Sequence, residues 1–171
     1  MSFKRILCAV DFSPDSLEAF HVAVETGRLH SGSLHIFHVI EALPAVPPQV
    51  EIRIVEEANA AMEKLVASAG SSLDGLAFTT EVTSGRAFVE IVERAREWRA
   101  DLIVVGSKGT TSLEEIIIGG TAENVMKEAP CSVLVVRLDI TSRSNGGFSF
   151  NRLAASSSAV SASNGGRPAN E

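Results

Sequence analysis

Apolar residues fall along this chain in two alternating periods. Ile6-Leu7-Cys8-Ala9-Val10 is a short unbroken apolar run, the pattern of a strand buried on both faces. It stops at Asp11-Phe12-Ser13-Pro14-Asp15. Ser13 is a natural helix N-cap, and Pro14 suits the first helical position, where its missing N–H costs nothing. Leu17, Phe20, Val24 and Gly27-Arg28 then recur at helical spacing to about Leu29, and Gly32 marks the exit. Leu34–Ile40 predicts a second strand. Pro44, Pro47 and Pro48 make Glu41–Gln49 a loop, and Ile54, Ala58, Met62, Leu65 and Ala69 form one stripe of a long amphipathic helix. Gly70–Gly75 breaks it. Ala77–Thr83 alternates and is more polar, which suits an edge strand. A helix carrying Phe88, Ile91, Val92, Ala95 and Trp98 follows Ser84-Gly85. Leu102–Val105 and Val133–Val136 predict a fourth and a fifth buried strand. Strands alternating with helices mean βαβ units in an α/β fold with a mostly parallel sheet and right-handed crossovers.

Composition then divides the chain. The 171 residues are 45% hydrophobic and 21% charged, with a net charge of -6, close to an average globular domain. Residues 1–140 hold 12 Lys and Arg against 20 Asp and Glu, a net of -8, whereas residues 141–171 hold three Arg against one Glu. That last stretch has eight Ser and four Gly in 31 residues and no periodicity, the composition of a flexible tail. In it, Phe148, Phe150 and Leu153 stand out as apolar. The expected organisation is one folded domain, 1–140, and a Ser/Gly-rich tail, 141–171. An acidic domain is a poor nucleic-acid binder, which would show a basic face. Cys8 and Cys131 are too few for a disulfide framework and lie in apolar runs, so both are expected reduced and buried. The apolar run after Lys4-Arg5 is too short for a secretory h-region, and nothing approaches a membrane span. The expected location is the cytoplasm.

In an open parallel sheet, ligands bind beyond the carboxyl ends of the strands, where strand order reverses. Asp11 follows the first strand and Glu41 the second. The fourth is followed by Gly106-Ser107-Lys108-Gly109-Thr110-Thr111-Ser112, the densest signal in the chain. Glycines permit close backbone approach, so successive N–H groups can converge on a phosphate. Ten residues after Gly109, Gly119-Gly120 opens a helix over Thr121–Ala129, whose N-terminus offers amide N–H groups and a favourable dipole to an anion. Lys108 is either a phosphate contact or a solvated loop lysine. The chain contains neither a Walker P-loop string nor the dinucleotide GxGxxG.

These residues resemble those of the universal stress protein family over about residues 2–138. Gly106, Gly109 and Gly119 match the spacing G-x2-G-x9-G of its ATP-binding members. Ile6–Ser13, His38-Val39-Ile40-Glu41, Ala100–Ser107 and Ala129–Val136 resemble its strand signatures in the right order. The resemblance implies a five-stranded parallel sheet, order 3-2-1-4-5, with helices on both faces, an adenine-nucleotide alpha-hydrolase-like fold. It implies that Ala9, Val10 and Asp11 meet the adenosine and that the backbone of Val39 meets adenine. Val105, Gly106, Lys108, Gly109, Gly119, Gly120 and Thr121 would then surround the ribose and phosphates. The implied ligand is ATP, or ADP or AMP, with Mg²⁺. A homodimer through about Val133–Arg137 is also implied.

One position departs from the family pattern. The residue after the third motif glycine should be Ser or Thr, and here it is Gly120, with Thr121 next. Loss of a hydroxyl bond to a charged phosphate costs roughly 1.5–3 kcal/mol, about 10- to 150-fold in affinity. The leading expectation is a nucleotide-dependent regulatory module of the stress response. The alternatives are a nucleotide-independent dimeric stress scaffold, which Gly120 favours, and a slow ATPase or self-phosphorylating protein. No catalytic set is expected; Asp11 and Glu123 are nominated as bases by proximity alone. His35 and His38 differ by an odd number on one strand and face opposite sides, which disfavours a shared metal site. Glu114 and Glu115 read as a solvated face or as Mg²⁺ ligands, and Trp98 as core.

Overall fold

The computed structural model describes residues 2–41, 46–109 and 118–138. Expectations resting on Thr110–Ser112, Glu114, Glu115 and 141–171, including Phe148, Phe150 and Leu153, lie outside the described residues. The elements are β1 (Arg5–Ala9), α1 (Pro14–His30), β2 (Ser33–Glu41), α2 (Pro48–Ala69), a 3-10 turn (Gly70–Leu73), β3 (Ala77–Gly85), α3 (Ala87–Glu97), β4 (Leu102–Gly106), α4 (Gly120–Glu128) and β5 (Ser132–Val136). The five strands form one sheet in the order β3-β2-β1-β4-β5. Every strand pair is parallel, with Leu7 of β1 aligned to His35 of β2 and to Ile103 of β4. This is the predicted doubly wound arrangement.

Each face of the sheet carries its own core. On one, Ile6, Cys8, Leu34, Ile36, Leu102 and Val104 meet Phe20 and Val24 of α1 and Met62 and Leu65 of α2. On the other, Leu7, Phe37, Ile103 and Val105 meet Ile91 and Ala95 of α3 and Ala122 and Val125 of α4. Both faces of β1 and β4 are covered, which is why their sequences are unbroken apolar runs. β3 is an edge strand as its alternation predicts, with Ala77–Thr80 exposed.

Two expectations need correction. The Val-rich run of β5 predicts a buried strand, but β5 is the opposite edge, and Leu134 is 39% exposed. An apolar run at an edge reports what covers one face, not both. Cys131, expected buried, is only half-buried, whereas Cys8 has no exposure. Burial pushes both thiols up, and for Cys131 the nearby Asp101 carboxylate adds to this.

The amino-terminal edge of the sheet is tied by Asp101. Its carboxylate accepts the backbone N–H of Lys4 at 2.8 Å and that of Arg5 at 3.1 Å, so the start of β1 is held to the start of β4. Asp101→Ala removes an ionised acceptor shared by two amides, and urea denaturation should show a loss of about 1–2 kcal/mol with an unchanged m-value.

Candidate functional site

At the carboxyl end of the sheet the chain turns from β1 into α1. Ser13 is the N-cap, with extended backbone (ψ 158°), and its hydroxyl accepts the N–H of Ser16 at 3.4 Å. Asp11 supports that cap: its Oδ1 accepts the N–H of Ser13 at 3.0 Å and the Ser13 hydroxyl at 2.5 Å. The same hydroxyl lies 3.1 Å from the carbonyl of Lys108, so the β1 turn touches the loop after β4. Between Asp11 and Ser13, Phe12 holds a φ of 64°, a left-handed conformation that costs a bulky residue roughly 1–2 kcal/mol. Its ring packs 4.7 Å from that of His38. Nδ1 of His38 donates to the carbonyl of Val10 at 2.7 Å, and the N–H of Val10 donates to the carbonyl of Phe37 at 2.9 Å.

Gly106 closes the junction from β4. A Cβ there would sit 2.7 Å from the backbone nitrogen of Ser16 and 2.8 Å from the carbonyl carbon of Asp15. No side chain fits between the strand end and the first turn of α1. Asp15 then ties down the chain beyond β4 and β5: its Oδ2 accepts the Ser107 hydroxyl at 2.6 Å and its Oδ1 the N–H of Leu138 at 3.2 Å. Ser107 also donates its N–H to the carbonyl of Val136 at 2.6 Å and accepts that of Gly119 at 2.7 Å. At Gly109 a Cβ would lie 2.7 Å from Oδ2 of Asp11, so this glycine and the carboxylate face each other directly.

The last wall is the start of α4. Gly119 is its N-cap, extended, and among the described residues no side chain caps the helix. A Cβ at Gly120 would meet nothing within 4 Å. In the first turn, Glu123 is exposed and bonded to Lys127 at 2.6 Å; this lysine holds its carboxyl below the usual range. An ionised, lysine-paired carboxylate is a poor base, which weakens its nomination for water activation.

The structure therefore brings Asp11, Gly106, Lys108, Gly109 and Gly119 to one junction at the switch point between β1 and β4. Gly120 and Thr121 continue it into α4. Ala9 and Val105 are aligned neighbours in the ladder just below. Val39 stands two residues beyond Phe37, the partner of Ala9, and so lies level with Asp11. Its side chain packs into the cluster on the α3 and α4 face. Glu41 sits elsewhere: its Oε1 accepts the N–H of Ala87 at 3.3 Å, at the start of α3. Asp15, Ser107 and Phe12 were missed by sequence reasoning. The string Pro14-Asp15 carried a signal, because an acid in a first helical turn is placed to meet groups arriving at that end. A groove of about 380 Å³ between α2 and β3, lined by Met62, Val66, Phe78 and Val82 among others, contains none of the predicted residues. Among the described residues no three acidic, His or Cys groups are clustered to hold a metal ion, and no helix is long and apolar enough to cross a membrane.

A parallel sheet in this order, with glycine-lined backbone at its switch point and a helix start close by, defines a doubly wound α/β protein with a crevice at the carboxyl ends of β1 and β4. Residues 2–137 match the family model of the universal stress protein family, and the chain belongs to that family. It is 34% identical over 142 residues to universal stress protein MJ0531 of Methanocaldococcus jannaschii, covering 79% of this chain and 82% of the relative. The solved universal stress protein UspA from Lactobacillus plantarum superposes with a TM-score of 0.68 at 28% identity, over 80% of this chain and 99% of that one. The Archaeoglobus fulgidus universal stress protein solved in complex with dAMP has a TM-score of 0.59 at 20% identity, over 80% and 99%; at that identity the likeness concerns the fold.

The motif glycines separate into a packing class and an open class. Gly106→Ala should destabilise by about 1–3 kcal/mol, because its Cβ meets backbone that cannot swing aside. Gly120→Ala should change stability by no more than about 0.5 kcal/mol, since its Cβ enters open space. Chemical denaturation of the two variants checks the contrast.

Proposed function

We propose that this protein binds an adenine nucleotide at the β1/β4 switch point and acts in the cytoplasm as a nucleotide-dependent regulatory module of the stress response. Residues 1–140 form the nucleotide-binding domain and 141–171 an appended segment. Ala9, Val10, Asp11 and Val39 meet the adenosine, while Gly106, Lys108, Gly109, Gly119, Gly120 and Thr121 receive the ribose and phosphates beside Val105. The observation that carries this reading is the junction itself. Glycine approaches a carboxylate at Gly109, and α4 starts with no capping side chain among the described residues. Uncapped first-turn N–H groups suit an anion, and an acidic domain gains a phosphate site this way without a basic surface. A fold-mate solved with dAMP adds that this architecture accommodates an adenine nucleotide. ATP is the expected ligand, with ADP and AMP as competitors, and Mg²⁺ would arrive on the phosphate oxygens.

Gly120 favours a second reading, a dimeric scaffold that works without nucleotide. The open space around its Cα separates the two by experiment. Calorimetric titration with Mg·ATP, ADP and AMP should show binding, and Gly109→Val should abolish it by driving a side chain into Asp11. Gly120→Ser should tighten binding by roughly 10- to 150-fold, the worth of one hydroxyl bond to a charged phosphate. Absence of binding at millimolar nucleotide in both the natural chain and Gly120→Ser would leave the scaffold reading standing instead.

The same proposal includes a homodimer through β5. This strand is a sheet edge, and Leu134 is its exposed apolar residue. Sedimentation velocity should give a dimer for the natural chain and a monomer for Leu134→Glu. A dimer unchanged by that substitution would rule out this interface.

A further inference from the structure

A second polar cluster lies away from the crevice, on the α3 and α4 face of the sheet. His35 is 6% exposed in the middle of β2, aligned with Thr79 of β3. Its Nδ1 is 2.7 Å from Oγ1 of Thr79 and its Nε2 is 3.2 Å from Oε2 of Glu81, two residues further along β3 on the same face. The other oxygen of Glu81 is bonded to Nη2 of Arg94 on α3, whose Nη1 is held by Glu97 at 2.9 Å. Nε of Arg94 is buried and has no partner among the described residues. The imidazole lies between two aromatic rings, Phe37 at 5.8 Å and Trp98, just past the end of α3, at 5.3 Å.

The bonding fixes the neutral tautomer. An ionised Glu81 only accepts, so Nε2 carries the proton, and Nδ1 accepts from the Thr79 hydroxyl. A second proton on Nδ1 would force that hydroxyl to turn from donor to acceptor. It would also place a second cation beside Arg94, leaving Glu81 to serve both. These are the charged groups facing His35: Glu81 from β3 and Arg94, backed by Glu97, from α3. Neighbouring β1 contributes apolar Leu7.

We propose that His35, Glu81, Arg94 and Trp98 form an acid-responsive latch that holds the β3 edge and α3 to the sheet at neutral pH and releases them on protonation of His35. Burial lowers the pKa of His35 below the usual value of 6.5, and Arg94 adds to this, while Glu81 opposes both. The folded state therefore resists a proton that the released state accepts. The latch is fully closed above pH 6.5, and its contribution is lost as pH falls from there towards the lower folded value. Opening linked to one proton grows about tenfold for each pH unit in that window.

Trp98 is the single tryptophan of the chain and reports on release directly, because an indole that leaves its packing against His35 for water loses emission intensity and shifts to longer wavelength. A titration from pH 7.5 to 5 should quench Trp98 with a midpoint below 6.5, and His35→Gln should abolish that transition. Glu81→Gln, which keeps the histidine, should move the midpoint down by about one unit. Hydrogen exchange, corrected for intrinsic rates, should show 77–85 and 87–97 losing protection between pH 7.5 and 5.5 while β1 and β4 keep theirs. A transition that persists in His35→Gln, or protection lost equally from β1 and β4, would overturn the latch. Should His35→Gln fail to fold, nitrogen NMR of the natural chain decides: protonation of Nδ1 must track the quenching midpoint, and divergence of the two rejects the proposal.

Discussion

The close approach of β4 to the first turn of α1 is the constraint on which the rest of this molecule rests. Gly106 brings strand backbone so near the Asp15–Ser16 peptide that no Cβ could share the space. Once that contact exists, Ser107 is placed to bond Asp15, and Asp15 is placed to take the N–H of Leu138 beyond β5. The carboxylate sits in the first turn of α1, where the helix dipole favours negative charge. One glycine and one acid thus tie the ends of β4 and β5 to α1. The loop after β4 is thereby held against the Asp11–Ser13 turn.

That constraint also decides how a negatively charged domain can receive an anion. The polar groups of the β1 turn are largely committed: Asp11 to Ser13, the Val10 carbonyl to His38, and the Val10 amide to Phe37. The start of α4, by contrast, has no side-chain cap among the described residues. Under the proposed reading, affinity for a phosphate would come from oriented amides in a sheltered place, where each interaction is stronger than it would be on a solvated basic surface. The domain's net charge and its site are consequently decoupled.

The elements were legible because burial leaves a direct trace in sequence. β1 and β4, covered on both faces, read as unbroken apolar runs, and Ser13-Pro14 marked the helix start. The glycine spacing located the junction, since a position that forbids Cβ must be glycine. Other features depend on register, which a single chain does not display. His35, Thr79 and Glu81 are neighbours because Ser33 aligns with Ala77, a pairing invisible from 44 residues away. Asp15 looked like an ordinary first-turn acid until β4 and β5 ended beside it. β5 misled for a related reason: an apolar run states that burial occurs without saying on how many sides.

The two edges of the sheet show that this chain uses opposite solutions to one problem. Any open sheet leaves two rows of backbone donors and acceptors that invite pairing with another chain. At β3 the strand starts with a continuous exposed run, Ala77–Thr80, and Glu81 links it to α3 through Arg94, so the strand is held from within. Replacing that half-buried ionic link with apolar packing would often be no less stable; in the proposed latch the ionic link adds sensitivity to protonation. At β5 the edge is short and apolar, with Leu134 presented outward, and it is on this edge that the proposed homodimer rests. The asymmetry comes from the topology. β5 ends at the Asp15 junction and β3 ends away from it, so pairing at β5 would place a second subunit next to the crevice, and release at β3 would leave that crevice's glycine and carboxylate contacts intact.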